Sequence, residues 1–162
     1  MAEPLRAVRY LPPGGTDQAF DLITLRHDER RVRRKLLTLV HGDEVLVDFP
    51  QAVTLEDRSR LVLEDGRQVE VIAAEEPLYE VRGRDPVHLM QLCWHLGNRH
   101  LPVQIAGEWA GLGPRVLIGR DHVIRSMLVG LGASVTEVTE PFSPVEGAYH
   151  AHGSHTHALL NR

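Results

Sequence analysis

The second half of this chain is punctuated so firmly that few folds remain open to it. Asp85-Pro86 opens a helix, because the aspartate accepts bonds from free first-turn N–H groups and proline at the first helical position sacrifices none. Leu89, Leu92, Cys93 and Leu96 recur at helical spacing as a buried stripe, with His88, Gln91 and His95 off it. Gly97 closes that helix in the left-handed conformation. Pro102 then forbids more helix and pushes Leu101 towards extended geometry, so that Val103-Gln104-Ile105 begins a half-buried strand. Leu78-Tyr79-Glu80-Val81-Arg82 alternates as the strand before the helix, and Gly111-Leu112-Gly113-Pro114 turns the chain into a further strand at Arg115-Val116-Leu117-Ile118. Asp121 caps a second helix whose apolar face is Val123, Ile124, Met127, Leu128 and Leu131, and Gly132 closes it. Ser134-Val135-Thr136-Glu137-Val138-Thr139 is a β-branched last strand. Strand, helix, strand, strand, helix, strand is the ferredoxin-like βαββαβ order.

The first half reads as a different class. From Asp21 to about Ala74 strands and turns follow one another without a helix of good period. Leu36, Leu37, Leu39 and Val40 form an apolar stretch that His41-Gly42-Asp43 ends. Glu44-Val45-Leu46-Val47-Asp48-Phe49 is a strand stopped by Pro50. Leu61-Val62-Leu63 and Val69-Glu70-Val71-Ile72 flank Glu64-Asp65-Gly66-Arg67, where Asp-Gly predicts a tight hairpin turn with positive φ at both central residues. The expectation is a small β-sandwich or barrel. Composition shifts at Glu75-Glu76-Pro77, which predicts a β domain over residues 1–76, a ferredoxin-like domain over 77–145 and a flexible tail over 146–162, an α+β chain as a whole.

With 43% hydrophobic and 25% charged residues the chain is globular, and a net charge of −4 gives no reason to expect nucleic acid or a membrane surface as partner. No apolar run approaches the roughly 20 residues that cross a bilayer, and no signal peptide is visible, which points to the cytoplasm. One cysteine, Cys93, excludes an internal disulfide, and its place on the apolar stripe reads as a buried, inert thiol. Arg30, Arg31, Arg33, Arg34 and Lys35 form a basic cluster, read either as a solvated strand face beside Asp28 and Glu29 or as a dock for an acidic partner.

Histidine is the outlier of the composition. There are ten, and His150, His152, His155 and His157 crowd the last thirteen residues. Two His-x-His pairs among small residues let imidazoles converge on one ion, and imidazole suits nickel, copper, zinc and cobalt. An affinity tag is the alternative, but the histidines are not consecutive and Ala158-Leu159-Leu160-Asn161-Arg162 continues past them. His100, outward-facing between helix and strand, is a candidate anchor for the same ion. One imidazole is a poor site, since transition ions take four to six donors. The same residue across a twofold axis gives two, and one tail histidine from each chain gives four, which predicts a homodimer. His122, next to the cap Asp121, is a candidate auxiliary ligand. His88 and His95 stand two turns apart, about 10 Å, too far to share an ion; they, His27 and His41 read as core or surface residues. No Gly-rich phosphate loop, HExxH or G-x-S-x-G is present, so no catalytic site is read from the sequence. A metal-dependent hydrolase and a protein-binding adaptor with incidental metal binding are the rival readings.

The run His95-Leu96-Gly97-Asn98-Arg99-His100-Leu101-Pro102-Val103-Gln104-Ile105 resembles the signature of the UreE family of urease accessory proteins. Leu63-Glu64-Asp65-Gly66, Asp85-Pro86, Asp121-His122-Val123-Ile124 with Met127-Leu128, and Pro141-Phe142 with Gly147-Ala148-Tyr149-His150 match in the same order over nearly the whole chain. The resemblance implies a homodimeric nickel metallochaperone with a peptide-binding, chaperone-like β domain and a ferredoxin-like domain holding Ni²⁺ at the dimer interface, with Zn²⁺ or Cu²⁺ as competitors. It implies His100 from each subunit as interfacial ligand, and His150 and His152 as tail ligands. The implied partners are the urease accessory GTPase and the urease apoprotein with its accessory complex. Some members carry a longer, nearly continuous His tail, so four histidines imply delivery rather than storage.

Overall fold

The computed structural model describes residues 2–108 and 111–148. The first 74 residues build a six-stranded sheet from β1 (Leu5–Leu11), β2 (Asp21–Leu25), β3 (Arg31–Thr38), β4 (Glu44–Thr54), β5 (Arg60–Leu63) and β6 (Gln68–Ala73), in the order β2-β6-β5-β1-β4-β3. Val40 N donates to Leu22 O across 2.9 Å, so the sheet curls and its two outer strands meet at one end. Its core is aliphatic apart from Phe49, with Ala7, Val45, Val47, Leu55, Leu61, Val69 and Val71 wholly out of solvent.

Three features of this sheet correct the sequence reading. β1 lies before the expected start at Asp21, and Ala7 is its one buried residue, so the strand lacks the alternation that would betray it. β4 runs straight through Pro50, because residues 49–52 have no partner on β3 and a proline without a ladder bond to give costs the sheet nothing. At the hairpin, Gly66 alone has positive φ: Gly66 N donates to Leu63 O, Leu63 N to Arg67 O, and Asp65 accepts from Arg67 N. That is a type I turn finished by a left-handed glycine.

The chain enters a second sheet at β7 (Glu75–Arg82), followed by α1 (Pro86–Gly97), β8 (Val103–Ala106), β9 (Arg115–Gly119), α2 (His122–Gly130) and β10 (Ser134–Pro141). The sheet order β10-β7-β9-β8, antiparallel throughout, is the ferredoxin-like arrangement. Alternation sorts its faces. Tyr79, Val81, Val116 and Ile118 meet Leu89, Leu92, Leu96 and Leu128 of the helices, while Leu78 and Leu117 point the other way and bury Phe142. Arg115 ties three strands together by bonding Glu140 twice (2.7 Å each) and Glu80 at 2.8 Å. Both helix starts form as read: Asp85 accepts from His88 N, and Asp121 from Val123 N and Ile124 N.

Side-chain placement differs in three places. Val123 is exposed rather than on the inner face of α2. His88, placed off the stripe by its spacing, is buried: its Nδ1 accepts from Arg84 N and its Nε2 donates to Leu131 O at 2.8 Å, pinning α1 to the end of α2. Arg30 is not on a solvated face with its neighbours but buried at 3% exposure, against the chain that leaves β10. Cys93 is half-buried and burial pushes its thiol up, as an inert thiol requires. No helix among the described residues is long and apolar enough to cross a membrane.

Candidate metal centre

The last turn of α1 is fully capped, and the capping displays His100. Asn98 N donates to Trp94 O (3.1 Å), Arg99 Nη1 to His95 O (2.9 Å), Arg99 N to Leu96 O (3.1 Å) and His100 N to Gly97 O (3.0 Å). All four carbonyls that a helix end leaves open are thereby satisfied. The left-handed residue is not Gly97, as glycine chemistry suggests, but His100, at φ +55°. Asn, Asp and His are the side chains that enter this region most readily, and the reversal lets Leu101 turn back into the core. His100 itself is exposed, and its ring makes no hydrogen bond among the described residues. A helix C-terminus also carries partial negative charge, which favours a cation within its last turn.

Register brings other groups to this end of the sheet. Val103, three residues past His100, pairs with Ile118 of β9, and His122 begins α2 four residues past Ile118. His100 and His122 therefore lie at the same end, both exposed. The chain beyond β10 returns here too. Ser143 N donates to Gln104 Oε1 (2.9 Å) and Val145 N to Val103 O (2.8 Å), so the segment that leads to the tail is fastened beside the start of β8. His150, His152, His155 and His157 lie outside the described residues. Among the described residues no three His, Cys, Asp or Glu side chains converge on one point.

The remaining histidines have other partners. His27 Nδ1 meets the buried Glu76 carboxylate at 2.7 Å, and its ring stands edge-on to Phe142. His41 Nδ1 meets Asp21 at 2.7 Å. His95 packs edge-on against Trp94, and Trp94 closes an exposed apolar stripe with Val87 and Met90 along the outer face of α1. Neither this stripe nor the buried role of His88 was read from the sequence. The i, i+3, i+7 spacing of Val87, Met90 and Trp94 was a visible signal for the first; the second depends on α2 arriving opposite.

Comparison with known proteins covers both sheets. Residues 2–74 match the family model for the UreE urease accessory protein, N-terminal domain, and residues 76–161 match its C-terminal domain counterpart. The urease accessory protein UreE of Rhizobium rhizogenes is 51% identical over 153 residues, 94% of this chain and 88% of that protein. The protein of the same name from Mesorhizobium japonicum is 54% identical over 146 residues, 89% and 71% of the two chains, and that from Rhizobium meliloti 50% over 155 residues, 95% and 97%. With both halves matched and half of the residues shared across nearly its whole length, this chain belongs to the UreE family of urease accessory proteins.

Proposed function

We propose that this protein is a cytoplasmic nickel metallochaperone for urease maturation, a homodimer that holds one Ni²⁺ between His100 of the two subunits and closes the site with tail histidines. Residues 77–145 carry the metal and the dimer contact, residues 1–76 bind partner protein, and residues 146–162 supply further ligands. The observation that carries this reading is the outward imidazole of His100, fixed on a left-handed residue at the end of α1, whose exposed face is the stripe Val87, Met90 and Trp94. An apolar face of this kind marks an association surface, and a twofold axis passing at its C-terminal end, beside Trp94 and His100, would bring the two His100 rings together.

The reach of the tail supports the ligand set. Val145 is fastened to Val103. Five residues of extended chain from Val145 to His150 span about 17 Å, and three from Val103 back to His100 span at most about 10 Å. The chain is therefore long enough for His150 and His152 to reach His100, and His122 stands at the same end as an auxiliary ligand. All-imidazole ligation suits Ni²⁺, with Zn²⁺ and Cu²⁺ as competitors. A carrier with exposed, stepwise removable ligands can pass its ion to the accessory GTPase and the urease apoprotein complex without breaking every bond at once.

Titration calorimetry with Ni²⁺ tests the reading. His100→Ala should abolish the site of one ion per two chains, or weaken it by at least about tenfold. Unchanged affinity and stoichiometry would overturn the interfacial site. Because imidazole ligates only when unprotonated, affinity should also fall steeply below about pH 6. A flat profile would indicate carboxylate ligands instead.

A further inference from the structure

Arg31, Arg33, Arg34 and Lys35 of β3 are all exposed, in a chain whose net charge is −4. The carboxylates that would balance them bond elsewhere. Asp28 lies 3.7 Å from Arg26 Nε, and Glu29 accepts from Arg26 N at 3.0 Å. Asp48, opposite Arg34 in the register with β4, is bonded by Arg6 at 2.7 Å. The side chains of Arg33, Arg34 and Lys35 make no hydrogen bond or ion pair among the described residues. Arg33 and Arg34 act on Asp48 only through space, adding to the bond from Arg6 that holds its carboxyl below the usual range.

β3 is also the last strand of its sheet: it pairs with β4 on one side and with no strand on the other among the described residues. Its register with β4 is unbroken from Arg34 to Thr38, so this stretch turns alternate backbone groups outward as a ladder that a further strand would complete. Arg34 and Leu36 share the outer face, and Leu36 is a half-exposed apolar residue there. Lysine and arginine along an edge keep a second copy from pairing with it. The same charges attract a strand of opposite sign, so what forbids self-pairing selects an acidic partner.

We infer that the free edge of β3 from Arg34 to Thr38 docks an extended, acidic segment of a partner protein as an added strand. Its carboxylates lie beside Arg33, Arg34 and Lys35, and an apolar residue lies beside Leu36. Main-chain bonds supply the attachment, and cross-strand pairs of opposite charge supply the choice. The inference rests on the reading that residues 1–76 bind partner protein, and it names the place and the chemistry.

The probe is a fluorescent peptide of alternating Glu and Val, about ten residues long, titrated into the full-length protein and followed by anisotropy. It should bind, and bind less as salt is raised. Arg33→Glu, Arg34→Glu and Lys35→Glu together should weaken it by about tenfold or more, since three favourable pairs become like-charge contacts. Arg125→Glu, at an exposed cation of α2, should change nothing. Hydrogen exchange of the outward amides between Arg34 and Thr38 should slow by about tenfold or more at saturation. If the triple variant fails to fold by circular dichroism, exchange in the parent protein decides alone.

A peptide that does not bind, a triple variant that binds it as well as the parent, or exchange that does not slow overturns the inference. Tighter binding of a single-stranded oligonucleotide of the same length also overturns it, by making the strand a nucleic-acid surface. A triple variant with an altered oligomeric state overturns it too, by making a second copy the occupant. Failure of the peptide leaves the broader reading of residues 1–76 standing; that falls only if the full-length chain binds no purified urease-maturation partner. Nickel titration of the triple variant should match the parent, so the docking edge and the metal site stand or fall separately.

Discussion

In the N-terminal sheet Ala7, Val45, Val47, Leu55, Leu61, Val69 and Val71 are wholly enclosed, and Leu36 and Val40 are the apolar side chains it exposes most. In the C-terminal unit the same one-chain packing leaves Val87, Met90 and Trp94 at 60%, 61% and 65% exposure along α1, with Ile105 and Val123 also bare. A curled sheet can cover its own inner face, whereas two helices on one face of a four-stranded sheet have outer surfaces that none of the described residues covers. The dimer contact proposed above falls on the second unit for that reason.

The largest effect should therefore come from charging the unfinished face. Trp94→Asp should weaken the proposed dimer by about 100-fold or more, as loss of a central tryptophan anchor typically does, and sedimentation equilibrium reads it directly. Leu36→Asp, at a half-exposed apolar residue of the N-terminal sheet, should leave association unchanged. A Trp94→Asp protein that stayed dimeric would place the contact elsewhere and dissolve the contrast between the units.

Next in size is the cohesion of the C-terminal unit. His88→Leu removes the acceptor for Arg84 N and the donor to Leu131 O, each in a partly buried setting. Leaving such groups unpaired costs about 1–3 kcal/mol apiece, which urea unfolding would register. A smaller loss would mean that water replaces the ring.

His88 also shows where sequence reasoning stops. Caps and turns are local, so Asp85, Asp121 and Gly132 announced both helices, and alternation announced β7 and β10. His88 sits off the apolar stripe by spacing and is buried because the end of α2 closes over it, a contact 43 residues distant. Arg30 is the same lesson across 112 residues: within its own segment it is one more cation of a basic strand. β1 escaped because one buried alanine makes no pattern. At the candidate site the motif pointed to His100, while the fastening of Ser143 and Val145 to Gln104 and Val103 depends on pairing that no local spacing encodes.

Acid should expose the charged brace of the C-terminal sheet. Bonds from Arg115 hold the Glu140 carboxyl below its usual range; burial pushes Glu80 up, but Arg82 and Arg115 outweigh it and leave it lowered too. Carboxylates with depressed native values stabilise fully above the unfolded value of about 4.3 and lose that contribution as pH falls through the native one. The thermal midpoint should hold steady to about pH 5 and fall below it. Glu140→Gln should start lower and fall less; an equally steep fall would assign the acid sensitivity to the N-terminal carboxylates Asp21 and Asp48.

The smallest effect carries the sharpest contrast. Each unit holds one non-glycine residue with positive φ among the described residues, Arg58 at 66° and His100 at 55°. For an L-residue that conformation costs about 1–2 kcal/mol, and glycine escapes the cost while adding backbone freedom to the unfolded chain. Arg58 offsets its strain, since Nη1 bonds Glu70 at 2.9 Å, so Arg58→Gly should gain nothing. The His100 ring has no such bond among the described residues, so His100→Gly should raise stability by about 0.5 kcal/mol, a shift of about 1–2 °C, while His100→Ala keeps the strain and gains none. Differential calorimetry of the four proteins reads this directly. If glycine helps at 100 and not at 58, the fold would be better served without the histidine, and the imidazole stands there for what it can bind.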